Sequence, residues 1–411
     1  MTRATSFPAR CGLLAASLAA ALLVCEIGLY LMGIGYPLVY VPDPYCGSRL
    51  QPGLSAWFTS EGRAHVRINR HGFRDQEHAI QKPRGTLRIA VLGDSYAEAL
   101  QVPLEQTFWS VLEQELSACP HQPDRRVEVL NFGVSGYGTG QQLQAWRHHV
   151  WPYEPDLVLL AIFAGNDISD NSRRLYPHAV RPYFVLDGGR LVRDDSFREH
   201  PDYVKAQRWS TRVKVAAINR SRVLQTAARW RARRHLPAAD PAPALPELSE
   251  PGIDLEVYRV PAHADWVEAW QITERLITTL RDEVRVRGAE FRLVVLTTPA
   301  QVHPDSRWRA EACAALGVPD LSYADRRIAA LAEAEDIPCL LLAPPLSQYA
   351  DRHRLYLHGF ARAQWGRGHW NVDGHRAAGE LIGQWLCQTW QPSPAGGAAV
   401  PADNRQPPSG P

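Results

Sequence analysis

From residue 87 onward, short apolar runs alternate with stretches whose apolar positions recur every three to four residues. The runs lie at 87–93 (LRIAVLG), 127–133 (VEVLNFG), 156–165 (DLVLLAIFAG), 291–299 (FRLVVLTTP) and 338–344 (PCLLLAP). Each is rich in branched residues and close to unbroken, the pattern of a strand buried on both faces rather than one. Between them the spacing predicts helices over 105–116, 140–150 and 266–288. Strands alternating with helices argue for a doubly wound parallel sheet in three α/β/α layers.

Outside this region the pattern changes three times. Residues 11–36 are apolar apart from Ser17 and Glu26, and residues 1–10 carry Arg3 and Arg10 with no acid. About 20 apolar residues suffice to cross a membrane, and a basic flank holds the N-terminus in the cytoplasm. The segment therefore reads as a retained single-pass anchor, with cleavage at Ala19–Ala21 the competing reading. Cleavage at Cys25 is disfavoured by the bulky Val24. Glu26 is costly at membrane depth and suggests a partner helix or a short span. Residues 37–86 contain two extended pieces, SAWFTSE and AHVRINRHGFRD, that read as a small β-hairpin lead-in. Residues 171–260 break the alternation with basic stretches and a Pro/Ala-rich run, an insertion of one or two amphipathic helices and a loop. It is either a lid over a site or a surface facing a membrane or partner. Residues 391–411 read as a disordered tail.

Composition narrows the function classes. A net charge of +2 over 411 residues supplies no global field for nucleic acid. The seven cysteines form no CxxC pair and no Cys/His cluster, so neither a zinc site nor another metal is expected. Five of them lie outside the apolar segment, an odd number, so at least one stays unpaired.

Candidate chemistry gathers where the strands end. The first strand runs into Gly93, Asp94 and Ser95; the second into Asn131, Gly133, Ser135 and Gly136; the third into Gly165, Asn166 and Asp167. Parallel strands bring their C-terminal ends to one edge, the place where open α/β sheets bind ligands. Before the last helix come His369, Asn371, Asp373 and His375. Taken singly, Gly-Asp-Ser is as good a turn as a nucleophile. Ser135 in GVSGY fails the nucleophile-elbow pattern because Tyr137 stands where glycine is needed. His148 and His149 have no acid or cysteine at ligand spacing and read as solvated or helix-end residues, and His375 as packing. Asp94 and Asp167 read as ties within the strand-end loops. Trp365 and Trp370 flank His369 as wall or core residues.

Four blocks in order, GDSY at 93–96, NFGVSG at 131–136, GND at 165–167 and HWN at 369–371, resemble the SGNH (GDSL-like) hydrolase superfamily over residues 87–390. The resemblance implies a flavodoxin-like fold, with Ser95 as nucleophile and His369 as its base. It implies an oxyanion hole made by the N–H groups of Ser95 and Gly136 and the amide of Asn166, with no cofactor. Its usual aspartate three residues before the histidine is absent: Gly366 stands there. Another group must orient the ring, or the enzyme is a Ser–His dyad leaning on a backbone carbonyl. Asp94 and Asp373 are accessory candidates, Asp373 reading first as the N-cap of the last helix. The expected activity is ester hydrolysis on an acylated small molecule or an O-acetylated polysaccharide, by a domain anchored in a bacterial inner membrane and lying outside the cytoplasm. The alternatives are an O-acetyltransferase using the same Ser95 and His369, served by a membrane partner protein, and a non-catalytic scaffold.

Overall fold

A computed structural model describes residues 7–120, 125–234, 248, 250, 252–361 and 363–392. An apolar helix, α1 (Phe7–Leu31), opens the chain, and residues 10–31 of it are long and apolar enough to cross a membrane. Two antiparallel hairpins follow, β1 (Tyr40–Asp43) with β2 (Gly47–Leu50), then β3 (Ser55–Phe58) with β4 (Ala64–Arg67). The second was expected from the sequence; the first, only four residues to a strand, was not.

The main unit runs β5 (Thr86–Leu92), α2 (Ser95–Glu98), α3 (Phe108–Ser117), β6 (Arg126–Asn131), α4 (Thr139–Ala145), β7 (Leu157–Ile162) and α5 (Asp167–Asp170). The expected start of α3 at Glu105 is corrected. A single 3₁₀ turn covers Leu104–Gln106, and Thr107 caps the helix by accepting the Ser110 N–H. The insertion comes next: hairpin β8 (Tyr183–Asp187) and β9 (Arg190–Asp194), then α6 (Pro201–Gln207), α7 (Trp209–Arg220) and α8 (Arg222–Arg233). Its hairpin is not evident in the sequence; of the expected loop at 236–252 only residues 248, 250 and 252 are described, and of the expected tail at 391–411 only 391 and 392. The chain closes with α9 (Ala264–Val286), β10 (Glu290–Val295), α10 (Ser306–Leu316), α11 (Tyr323–Ala334), β11 (Cys339–Leu341), α12 (Ala343–His353) and α13 (Val372–Thr389).

All five expected core strands pair in parallel, in the order β6-β5-β7-β10-β11. Counted along the chain this is 2-1-3-4-5, the flavodoxin-like winding. Side chains alternate across each strand, so two cores form. Leu87, Ile89 and Val91 face α3, α12 and α13. Ala90 and Leu92 face α4, α9, α11 and the lead-in residues Leu50, Val66 and Phe73.

The lead-in is bound to the sheet by polar groups as well. Fully buried Arg74 donates to the carbonyls of Glu98, Ala99 and Val102, just past α2. Burial pushes its guanidinium down to about 10, which leaves it charged at neutral pH. Asn131 at the end of β6 donates its backbone N–H to Asp75 (2.8 Å) and its amide to the Arg74 carbonyl (3.1 Å).

On the other face, Cys119 and Cys387 form a disulfide joining the ends of α3 and α13 across 268 residues of chain. A bridge closing so long a loop removes chain entropy from the unfolded state. Cys119→Ala/Cys387→Ala is expected to lower stability by about 2–4 kcal/mol in urea unfolding, and an unchanged midpoint would show that the bridge does not form.

Candidate active site

The turn after β5 delivers Ser95 to the C-terminal edge of the sheet. Asp94 caps α2 by accepting the Tyr96 N–H at 3.0 Å, which makes Ser95 the first residue of that helix. From the other side comes the loop before α13. Asn371 caps that helix by accepting the Gly374 N–H at 3.0 Å. The expectation that Asp373 is the cap is therefore corrected: Asp373 lies inside the first turn and pairs with Arg376 at 2.9 Å. This arrangement sets His369 Nε2 2.8 Å from Ser95 Oγ.

The group that holds the ring is one the sequence reading did not find. Glu61 places both carboxylate oxygens 2.9 Å from His369 Nδ1, and Oε2 also accepts the His369 backbone N–H at 3.2 Å. Nδ1 therefore carries the proton and Nε2 is left to accept from the serine, a tautomer assigned from this network. Glu61 sits in the turn between β3 and β4, in the lead-in. That turn lies so close over the segment after α2 that a Cβ on Gly62 would stand 2.1 Å from the Gln101 carbonyl oxygen. Gly368 completes the fit. At φ +76 it adopts a conformation that side chains resist, and a Cβ there would come within 2.9 Å of Glu61 Oε2. Glycine before the histidine thus clears the space for an acid arriving from elsewhere. The usual acid position, Gly366, is directed elsewhere, with the Tyr356 ring 2.9 Å from where its Cβ would be. One sequence signal pointed at Glu61: it is the acid in the turn of a hairpin whose alternating Val66 and Ile68 pack into the main core.

Electrostatics follow the geometry. Burial pushes the His369 imidazole down, but the hydrogen bond and charge of Glu61 outweigh it, and the group stands above its ordinary value. Burial raises Glu61 while the bonds to His369 lower it, leaving it below the ordinary carboxylate value. Behind them His358, also absent from the sequence reading, is buried and pushed down to about 3. Its Nδ1 lies 2.9 Å from the Gly368 carbonyl, so as a neutral ring it supports the loop that carries His369. Burial holds the Asp94 and Asp167 carboxyls above the carboxylate range. Asp167 Oδ2 accepts the Phe163 N–H at 2.8 Å, a tie within its own loop.

Ser95, Gly136, Asn166 and His369 line one cavity of about 320 Å³. Gly136 takes φ +74, which a glycine adopts without strain. Arg181 fixes that turn by donating to the Gly136 carbonyl and to Asp170. Tyr96, Phe163, Tyr176 and Ile253 supply apolar wall. The far end of the insertion closes one side: Glu250 accepts the Gly368 N–H, and Asp254 donates its N–H to the Gly165 carbonyl at 2.9 Å. The insertion thus forms part of the wall of the cavity.

Other residues singled out in the sequence fall elsewhere. Ser135 also lines the cavity, but the imidazole of His369 meets Ser95. His375 is buried beside Phe108, whose N–H it accepts at 3.3 Å. Trp370 is core, bonded to Thr297 at 2.9 Å, Trp365 is exposed, and neither lines the cavity. The solvated reading of His148 and His149 is corrected: His148 stacks on Tyr45, and His149 Nε2 meets Asp43 at 3.1 Å. Asp43, Cys46 and His149 converge closely enough to hold an ion. Asp43 Oδ1 is, however, occupied by the N–H groups of Tyr45 and Cys46, and Cys46 Sγ lies 3.7 Å from the Gln141 carbonyl. Burial pushes that thiol far up, so the trio is accounted for as a turn and its packing.

No family model matches the chain, and no curated protein matches it significantly. Among solved structures it is similar to two acetyl xylan esterases and to TesA. An acetyl xylan esterase, AlAXEase, aligns at 12% identity over 73% of this chain and 98% of its own, with a TM-score of 0.37. A catalytic mutant of an acetylxylan esterase from Geobacillus stearothermophilus aligns at 13% over 73% and 94%, with a TM-score of 0.37. TesA aligns at 13% over 74% and 98%, with a TM-score of 0.34.

Proposed function

We propose that this chain is a serine esterase of the SGNH type that works through an acyl-serine intermediate. The observation that carries the reading is the continuous relay Ser95–His369–Glu61, opening on a cavity that Gly136 and Asn166 also line. His369 Nε2 takes the Ser95 proton as Oγ attacks the ester carbonyl. The imidazolium formed is stabilised by Glu61, and the oxyanion is received by the amides of Ser95, Gly136 and Asn166. On collapse, His369 returns the proton to the departing alcohol oxygen. Water then attacks the acyl-serine with the same base, restoring Ser95 and releasing the carboxylic acid.

The lining also bears on the substrate. It includes the carboxyls of Glu250 and Asp254 and, among the described residues, no lysine or arginine. Such a lining, polar and rich in hydrogen-bonding groups, suits a neutral polyhydroxylated ester. An O-acetylated polysaccharide outside the cytoplasm fits this character, together with the basic flank before α1 and the Cys119–Cys387 bridge, which needs an oxidising compartment.

The test uses the full chain in detergent. A fluorophosphonate probe is expected to form a single adduct, located at Ser95 by peptide mapping, and p-nitrophenyl acetate to be turned over. An adduct without turnover would favour transfer to an acceptor other than water. No adduct would refute the serine assignment. Asn166→Ala is expected to reduce kcat on the same ester by about 10²–10³-fold, the usual effect of removing one oxyanion donor. An unchanged kcat would remove Asn166 from the oxyanion hole.

A further inference from the structure

We infer that α8 is a membrane-surface helix that lies on the anionic headgroups of the bilayer crossed by α1. Residues 203–234 carry ten lysines and arginines and no acid. On α8 the apolar side chains Leu224 (44% exposed) and Trp230 (57%) are exposed, as are Arg231 and, at the C-cap, Arg234. The Arg234 guanidinium stacks on the Trp230 ring at 3.4 Å. Tryptophan and arginine with an apolar face between them form the composition that settles at a lipid headgroup layer.

The depth of the helix is fixed independently of its composition. Glu26 of α1 caps α8, accepting the Ser221 hydroxyl at 2.8 Å and the N–H groups of Arg222 and Val223 at 2.6 and 3.1 Å. This is also why an acid is tolerated in an otherwise apolar span: its charge meets a helix N-terminus. Glu26 lies five residues before the end of α1, about 7.5 Å along its axis. The first turn of α8 is therefore held at the level where the span leaves the hydrocarbon. Arg222 donates to the Ile34 carbonyl at 2.7 Å, and Arg229 covers the Tyr36 ring at 3.8 Å, so the two segments are joined beyond the cap as well. A helix tied at that depth, with cations and no acids, has the anionic bilayer surface as its complement. The inference rests on α1 spanning the membrane.

The full chain is reconstituted into phosphatidylcholine vesicles, with or without 30 mol% phosphatidylglycerol, using lipids brominated near the headgroup. The fluorescence difference between the wild type and Trp230→Phe isolates Trp230. Its emission is expected to fall by at least half in the anionic vesicles, and Arg231→Glu/Arg234→Glu to reduce that quenching at least threefold. Both variants should hydrolyse p-nitrophenyl acetate like the wild type, which verifies the fold. Unquenched Trp230 in chain that resists carbonate extraction would overturn the inference and leave a protein partner as the occupant. Equal quenching in phosphatidylcholine alone, unaltered by the charge reversals, would overturn its anionic part. Release by carbonate would overturn the span and the inference together.

Discussion

Ser95→Ala is expected to lower kcat on p-nitrophenyl acetate by at least about 10³-fold while leaving the urea midpoint close to that of the wild type. The serine Oγ is the atom that must bond to the acyl carbon, and neither Glu61 nor His369 can replace it. Stability should hold because Ser95 occupies the first turn of α2, where the cap comes from Asp94 and the hydroxyl contributes only its contacts to His369 and Asp94. Kinetics and unfolding are measured on the same preparation. Turnover within tenfold of wild type would place the nucleophile elsewhere and refute the mechanism.

Glu61→Gln separates a triad from a dyad. The amide keeps the shape of the side chain but loses the charge that offsets the burial of His369. Two effects are expected. The plateau of kcat falls by about 10²–10⁴-fold, because the imidazolium formed during acylation loses its counter-charge. The acid limb of the pH profile also moves. In the wild type His369 is held above its ordinary value of 6.5, so activity, which needs the neutral ring, is lost as pH falls through a value above that. Without the Glu61 charge the imidazole titrates lower, and the limb shifts toward acid. A merely structural glutamate would reduce the plateau without moving the limb. A plateau within threefold and an unmoved limb would make the enzyme a Ser–His dyad.

The sheet is readable because parallel strands covered on both faces are close to continuously apolar: β7 and β11 are so throughout, and in β5, β6 and β10 the charged residues (Arg88, Arg126, Glu128, Glu290 and Arg292) all fall in the first half of the strand. Ser95, Gly136 and Asn166 were readable for a related reason, since the C-terminal ends of parallel strands converge whatever their separation in the chain. Glu61 obeys no such rule. It is 308 residues from His369 and reaches it from a hairpin outside the sheet, so neither strand order nor local spacing encodes the contact. Its trace in the sequence is indirect: Gly366 where an acid is expected, and an acid in the turn of the lead-in hairpin. Hairpin β8–β9 was missed because only two of its residues are buried, Tyr183 and Phe184, leaving little alternation to read. Asp373 and Asn371 are both cap-competent and stand two apart in the sequence, and only the geometry decides for Asn371.

The position of Glu61 has a consequence for what counts as the working unit of this chain. A cut at residue 87 looks natural from the sequence, since it preserves every strand of the parallel sheet together with Ser95 and His369. It would also remove the acid that holds the His369 ring and the buried arginine that braces the chain just after Ser95. The hairpins after α1 and the α/β unit are therefore one working piece. A relative that exchanged its lead-in for another would need an acid restored near the histidine to keep the same chemistry.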